Sequence, residues 1–225
     1  MKVLKLIEDT AASDIRQLAL ANIGDETSRL SNAEQVGNLR VLTSFVNQGL
    51  LDLYTRFPLS IKSIEADADS VDQNLPITLP SDALGLKQVT VLDTGEQLPV
   101  DESSVEFKYR VKNEKVMFVK TIAVNTYLVQ GYFPESFVEL QFDYYAAPKE
   151  VDTEDELPVP AIYNEALRLF IAYRAYSTIK SVTQTGDEHI KYKKMYEDAC
   201  NLIKVSTEAW YDYTSVERIY DRGFV

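Results

Sequence analysis

Apolar residues recur every three to four positions in two stretches at the start of the chain, which is the spacing of an amphipathic helix. The first stretch covers residues 2–22 and is followed by Gly24, a residue type that commonly ends a helix. The second begins at Ser31, with Glu34 three residues later as in a capping box, and ends at Pro58. The apolar positions are Leu4, Ile7, Ala11, Ile15 and Leu18 in the first predicted helix, and Val36, Leu39, Leu42, Phe45, Val46, Leu50, Leu53 and Phe57 in the second.

Gly49 stands inside the second predicted helix, where glycine costs about 1 kcal/mol relative to alanine. A residue without a side chain permits two backbones to come close together. We therefore expect a neighbouring helix to pack tightly against this position.

The periodicity changes at Ile61, and the middle of the chain has the short segments typical of β-strands. Leu75–Pro80 is predicted at the edge of a sheet, because its prolines cannot donate ladder hydrogen bonds. The acidic segment Glu65–Asp72 is predicted to be a loop. Further strands are predicted at Leu86–Leu92, Val105–Val111, Lys115–Lys120, Thr126–Tyr132 and Phe137–Tyr145, the last with Val138, Leu140, Phe142 and Tyr144 on its buried face.

Helical spacing returns after the charged link at residues 149–156. Two helices are predicted there, the first preceded by Leu157-Pro-Val-Pro160 and the second extending past Thr185-Gly186 to Trp210. The short gap between them predicts an antiparallel hairpin. The order of elements predicts an α+β fold. Its parts are a helical bundle (1–60 and 157–213), an inserted antiparallel β-sandwich or small barrel (61–156) and an extended C-terminal tail (214–225).

The formal net charge of −12 comes from one part of the sequence. Residues 1–63 hold 7 basic and 7 acidic side chains, and residues 157–225 hold 9 of each, whereas residues 64–156 hold 7 basic and 19 acidic ones. Nucleic-acid affinity comes largely from lysine and arginine at phosphates, so this segment is unsuited to gripping DNA. Two explanations stay open: the charge keeps the chain soluble, or it forms an acidic wall that DNA passes without adhering.

The sequence offers few groups for catalysis or metal binding. Cys200 and His189 are the single cysteine and the single histidine, which excludes an intrachain disulfide and any metal centre built from several such ligands. Cys200 is predicted to be buried in a helix, and His189 is predicted on an exposed first helical turn. The common nucleotide-binding and nucleophile motifs are missing from the sequence. We therefore expect no catalytic residue, no cofactor and no metal.

The sequence also carries indications of location. A single cysteine fits a reducing compartment. No apolar run approaches the roughly 20 residues that a membrane span needs, and the N-terminus lacks the apolar core of a signal peptide. These features predict a soluble protein made in the cytoplasm.

Of the fourteen tyrosines, five follow helical spacing in the predicted C-terminal hairpin. They are the candidates for a subunit interface: Tyr163, Tyr173, Tyr176, Tyr192 and Tyr196. Tyrosine favours interfaces because its ring is apolar and its hydroxyl finds a polar partner. The same spacing is typical of a hydrophobic core, so both interpretations stay open.

The C-terminal tail places two cations among four apolar side chains, namely Arg218, Ile219, Tyr220, Arg222, Phe224 and Val225. A frayed terminus is the simpler interpretation. Frayed ends are usually small and polar, however, and this segment is typical of a peptide that becomes ordered on a partner. We therefore favour docking on a partner protein.

Two segments resemble the head-to-tail adaptor (connector) proteins of tailed bacteriophages, especially the short-tailed ones. They are NQGLLDLYTRFPL at Asn47–Leu59 and DELPVPAIYNEALRLFIAYRAY at Asp155–Tyr176, with the β insertion between them. The resemblance extends over the chain end to end. It implies a structural ring in the virion, commonly of twelve copies, that joins the portal protein to the tail or nozzle protein.

The resemblance also implies roles for individual segments. The helix Ala161–Tyr176 would be ring scaffold, and Arg218–Val225 would dock on the portal. The acidic β segment would face the tail machinery or the lumen, through which genomic DNA passes without specific binding. Alternatives from other classes are a glycan hydrolase with paired carboxylates, for which the sequence nominates no pair, and a stand-alone β-sandwich binding module.

Overall fold

The computed structural model describes residues 1–23, 32–69, 75–100, 117–131, 137–179 and 187–214. Within these ranges the fold is α+β, as predicted, with four helices and two antiparallel sheets. The helices are α1 (Val3–Ser13), α2 (Asn32–Arg56), α3 (Asn164–Ile179) and α4 (Glu188–Thr214). The strands are β1 (Ile61–Asp69), β2 (Ile77–Thr78), β3 (Ala83–Val91), β4 (Gln97–Leu98), β5 (Met117–Ala123), β6 (Thr126–Gly131) and β7 (Phe137–Ala146).

The chain forms two compact units. The helical unit comprises Met1–Asp52 and Lys149–Val225, and the β unit comprises Leu53–Pro148. The sequence-based boundaries, 60/61 and 156/157, lie further along the chain at both points. Because the acidic segment 149–156 belongs to the helical unit, the charge divides equally: 15 basic and 21 acidic residues in one unit, 8 and 14 in the other, a net −6 in each.

The β unit has two sheets, with strand orders β1-β7-β3-β4 and β2-β6-β5. β7 pairs with β1 from Tyr145 opposite Ile61 to Phe137 opposite Asp69, and with β3 on its other side. One core contains buried residues of both sheets, so the fold is sandwich-like. On β7 the predicted inner face is confirmed, since Val138, Leu140, Phe142 and Tyr144 are buried.

Glu65–Asp69, the first part of the predicted acidic loop, is strand. β1 continues to Asp69, with Ala66 and Ala68 packed against the core and Glu65 and Asp67 exposed. Pairing with the distant β7 supplies its backbone hydrogen bonds, which an acidic composition does not reveal. Residues 70–72 of the predicted loop, and the predicted strand at 105–111, lie outside the described residues.

The edge prediction for Leu75–Pro80 is confirmed. β2 has two residues, pairs with β6 and stands at the end of the second sheet. The prolines at either side stop the ladder, because each lacks the N–H that would extend it.

α1 ends at Ser13 and does not extend to Asn22 as the spacing predicted. Ile15 and Leu18 are nevertheless buried, so the periodicity correctly identified which side chains face the core. At the helix end the carbonyl of Asp14, which has no partner within the helix, accepts hydrogen bonds from two tyrosine hydroxyls of the C-terminal helices, at 3.0 and 3.2 Å.

α2 ends at Arg56, close to Pro58 as predicted, and begins at Asn32; the predicted capping residue Ser31 lies outside the described residues. The close approach expected at Gly49 is confirmed. A Cβ added there would lie 2.5 Å from Cδ1 of Leu167 and 2.9 Å from Cδ1 of Phe170, both on α3. α3 and α4 pack against each other. None of the helices in the described ranges combines the length and apolarity that crossing a bilayer requires.

Candidate functional site

Three helices meet at the C-terminal end of α1. Tyr176 and Tyr192 both donate to the carbonyl of Asp14, and their rings stack with centroids 5.3 Å apart and 10° between the planes. Arg168 of α3 lies 3.3 Å from the Asp14 carboxylate and 2.8 Å from that of Glu165. α1, α3 and α4 are thereby joined through a single residue of α1's C-terminal end.

The hydroxyls of this junction are permanent hydrogen-bond donors. Burial raises the pKa of Tyr176 and of Tyr192, and the negative charges of Asp14 and Glu188 act in the same direction. The pKa of Tyr192 reaches about 12. A phenol that keeps its proton stays a hydrogen-bond donor, which suits a junction that connects helices.

Tyr196 forms a second junction. It is 2% exposed, and its hydroxyl donates to the carboxylate of Asp52 on α2. Its ring packs edge-on against Phe170 of α3 with centroids 5.2 Å apart. Burial raises the pKa of Tyr196, and the hydrogen bond to Asp52 raises it further. Tyr196 therefore links α2, α3 and α4.

All five candidate tyrosines lie in the helical unit. Tyr163, Tyr176, Tyr192 and Tyr196 are buried within the chain, whereas Tyr173 is half-buried with its ring 5.9 Å from that of Phe170. Their part in a subunit interface stays a prediction. The sequence held no signal for their partners, because the hydrogen bonds to Asp14 and Asp52 join residues 144 to 178 positions apart.

Tyr196→Phe is expected to lower the free energy of unfolding by about 2 kcal/mol, because a carboxylate loses a buried donor. Urea unfolding followed by circular dichroism measures the loss. Tyr173→Phe is the matched control: it removes a hydroxyl at a half-buried position of α3, and we expect a change within about 0.5 kcal/mol. Equal losses in the two variants would contradict the role given to the Asp52 contact.

The segment 149–156, here called the acidic strap, is held against two helices. Asn47 of α2 pairs twice with the backbone of Val151: its Nδ2 donates to the carbonyl at 3.0 Å, and its Oδ1 accepts from the N–H at 2.9 Å. The carbonyls of Thr153 and Asp155 accept hydrogen bonds from the first N–H groups of α1, both at 3.0 Å. The strap thus caps α1 and presents exposed carboxylates, which are Glu150, Asp152, Glu154, Asp155 and Glu156.

The outward face of the first sheet also carries acid. Glu65 and Asp67 on β1 and Glu139 on β7 are exposed, and Asp67 lies directly opposite Glu139. Like charges in such cross-strand positions destabilise a sheet. Folding stability therefore does not account for this arrangement.

One carboxylate on the same face is buried. Asp143 accepts hydrogen bonds from Ser63 at 2.6 Å, Gln88 at 2.7 Å and Gln141 at 2.7 Å. Burial alone would raise the pKa of Asp143, but these bonds and the nearby positive charge of Lys87 outweigh it, so the pKa is lowered. Because the donors lie on β1, β3 and β7, the side chain ties three strands together. Sequence alternation missed this site, since it placed Asp143 on the outward, polar face.

The remaining candidate residues are those for metal binding and catalysis and those of the C-terminal tail. Within the described ranges, no group of three or more His, Cys, Asp or Glu side chains is arranged to hold a metal ion. Cys200 is buried, as predicted. His189 lies in the first turn of α4 as predicted, but it is half-buried and not exposed. The tail candidates Arg218–Val225 lie outside the described residues.

A family model described as SU10 adaptor protein matches residues 10–218, a span that includes the end of α1, the whole of α2, α3 and α4, and the whole β unit. The chain belongs to the SU10 adaptor family. Membership confirms the resemblance to phage head-to-tail adaptors. It gives this adaptor a structural role in the neck of the virion, in association with other neck components. A search of curated proteins finds no match.

Proposed function

We propose that this adaptor forms a ring of twelve copies that joins the portal protein to the tail and lines part of the DNA passage. The family match across residues 10–218 carries the proposal. A ring that binds different partners above and below needs a rigid body, separate contact segments and a surface that does not hold DNA. The described residues and the sequence provide support for each of these.

The rigid body is the helical unit, with α3 as its scaffold. α3 is buried on most of its circumference: Ala166, Leu167, Ile171, Ala172 and Ala175 have no measurable exposure. A helix that is apolar on nearly all sides belongs in the interior of a bundle. The tyrosine junctions at Asp14 and Asp52 then fix the neighbouring helices around it.

The DNA passage is assigned to the acidic β unit. Its outward sheet face carries Glu65, Asp67 and Glu139, with two of these acids in opposed positions despite the cost in stability. Negative side chains repel DNA phosphates, so DNA would slide along such a surface without binding to it.

The tail Arg218–Val225 is assigned to the portal contact. Its four apolar side chains would fill pockets on the portal, and its two arginines would pair with carboxylates there. An extended segment that orders on binding can reach far from the helical unit.

Binding of the full chain to the portal protein of the same phage tests the proposal. We expect rings in electron micrographs, and we expect deletion of residues 218–225 to weaken portal binding about a hundredfold or more, as loss of several anchor side chains does. The control is a chain whose last eight residues are scrambled, which keeps their charge and composition. The proposal would be refuted if the full chain forms neither rings nor a complex with the portal. A portal complex whose affinity is unchanged by the deletion would refute the role of the tail.

A further inference from the structure

The outward face of α2 carries an uncharged stripe. Its residues are alternately four and three positions apart, a spacing that places them on one side of a helix that packs against another helix. They are Gly37, Val41, Ser44, Gln48 and Leu51, and all are exposed in the chain itself. An outward helix face normally carries charges. This α2 stripe is instead typical of a surface that is covered in an assembly.

Acidic side chains border the α2 stripe on one side. Asn47, which holds the acidic strap through Val151, neighbours both Ser44 and Leu51 on the helix surface. The strap therefore runs beside the stripe with its exposed carboxylates. This face of the helical unit combines an uncharged centre with a border that is acidic along the strap and basic at the exposed Arg40, which neighbours Gly37 and Ser44.

The outward face of α4 has a stripe of the same spacing. Its members are Lys191, Met195, Asp198, Leu202 and Val205, which are exposed. Leu202 and Val205 are 68% and 63% exposed, which leaves two large apolar side chains largely in contact with solvent. Lys191 belongs to this α4 stripe, and the exposed Lys194 neighbours both Lys191 and Asp198 on the helix surface, so the stripe has an apolar part and a basic part. The exposed Lys193 and Lys204 adjoin none of its members.

We propose that the α2 stripe of one copy packs against the α4 stripe of the next copy. The inference rests on the ring proposed above and names the surface through which its copies join. The apolar side chains of the contact would be Val41 and Leu51 on α2 and Met195, Leu202 and Val205 on α4. The acidic strap would face Lys191 and Lys194 of α4.

Two observations favour a second copy as the occupant. The acidic strap and the lysines at the α4 stripe belong to the same helical unit. Each copy therefore presents acidic side chains on one face and basic side chains on another. The two stripes are also different surfaces, so their pairing is head to tail, and head-to-tail contacts form rings when the rotation closes. A chain of net charge −12 repels its copies at long range. Local pairing of opposite charges offsets this repulsion and sets the register.

Cysteine cross-linking of the full chain tests the pairing. One preparation carries Gln48→Cys and a second, differently tagged, carries Leu202→Cys; Cys200 stays in both because it is buried. After mixing and oxidation we expect the 48–202 disulfide to exceed the 48–48 and 202–202 products at least about tenfold. The control replaces the first preparation by Glu8→Cys, an exposed position on α1, which should give no more than background.

Charge reversal supplies a second readout. Lys191→Glu with Lys194→Glu in the α4 partner is expected to lower the 48–202 yield about tenfold, and so is Glu150→Lys with Asp152→Lys in the α2 partner. Mixing both reversed partners should restore the yield, because unlike charges face each other again. Variants that merely misfold would not be rescued in this way.

The outcomes distinguish the pairing from the ring. Rings in electron micrographs without a 48–202 link, or with the 48–48 link dominant, would overturn the pairing and leave the ring standing. A chain that stays monomeric with and without the portal, and gives no 48–202 link, would overturn both.

Discussion

Gly49→Ala is expected to destabilise the helical unit, although alanine is the better helix former. The new Cβ would lie 2.5 Å from Leu167 and 2.9 Å from Phe170, and both of these side chains are buried. Overpacking of this kind costs about 1–3 kcal/mol, against about 1 kcal/mol gained in helix propensity. We expect a net loss of about 1 kcal/mol for alanine and about 3 kcal/mol for Gly49→Val, whose branched side chain needs more room.

Gly37→Ala is the matched control on the same helix. A Cβ at Gly37 meets no heavy atom within 4 Å, so helix propensity alone decides the result. We expect this variant to gain about 1 kcal/mol. Urea unfolding measures whether the free energy of unfolding rises or falls in each variant. A gain at Gly49 equal to that at Gly37 would contradict the close approach of α2 and α3.

Asp143→Ala is expected to lower the free energy of unfolding of the β unit by about 3 kcal/mol, because three donors lose a charged acceptor. Glu139→Ala is the matched control on the same strand. Glu139 is exposed and faces Asp67 across the sheet, so its removal should be neutral or slightly stabilising, by about 0.5 kcal/mol. Equal losses at the two positions would contradict the stabilising role given to the buried hydrogen bonds of Asp143.

The Asp143 contacts also predict a pH dependence. Because the pKa of Asp143 is lowered from its ordinary value of 3.8, the folded chain holds the carboxylate more strongly than the unfolded chain does. The resulting stability is present above pH 3.8 and is lost as the pH falls through the lower folded value. Unfolding free energies measured from pH 7 to pH 3 should therefore fall more steeply for the wild-type chain than for Asp143→Asn. Parallel curves would contradict the shift.

Hydrophobic periodicity located most of the regular structure, because the apolar side of an element repeats with a fixed period wherever it faces a core. It identified α2, α3, α4 and the inner face of β7. It extended α1 too far, because Ile15 and Leu18 are buried without being helical. It missed the outer half of β1, whose alternating alanine and acid resemble a loop in composition.

The candidate sites were less predictable from sequence. Helical spacing selected the tyrosines, yet their partners Asp14 and Asp52 lie on helices from the other end of the chain. The charge partition placed the whole acidic excess in the middle of the sequence, whereas the fold assigns the strap to the helical unit. Contacts between distant segments determine both the partners of the tyrosines and the unit to which the strap belongs. A local sequence pattern does not contain this information.

The sequence by itself determined the α+β class, the near absence of cysteine and histidine chemistry, the need for a small residue at Gly49 and the resemblance to phage adaptors. These follow from side-chain size, periodicity and composition, which are properties of neighbouring residues. Only the tertiary structure decided where α1 stops, that Asp143 is a buried tie between three strands, and that acid and lysine border different faces of one helical unit. The physical reason is that burial and hydrogen bonding depend on which distant segments meet, and that is set by the packing of the whole chain.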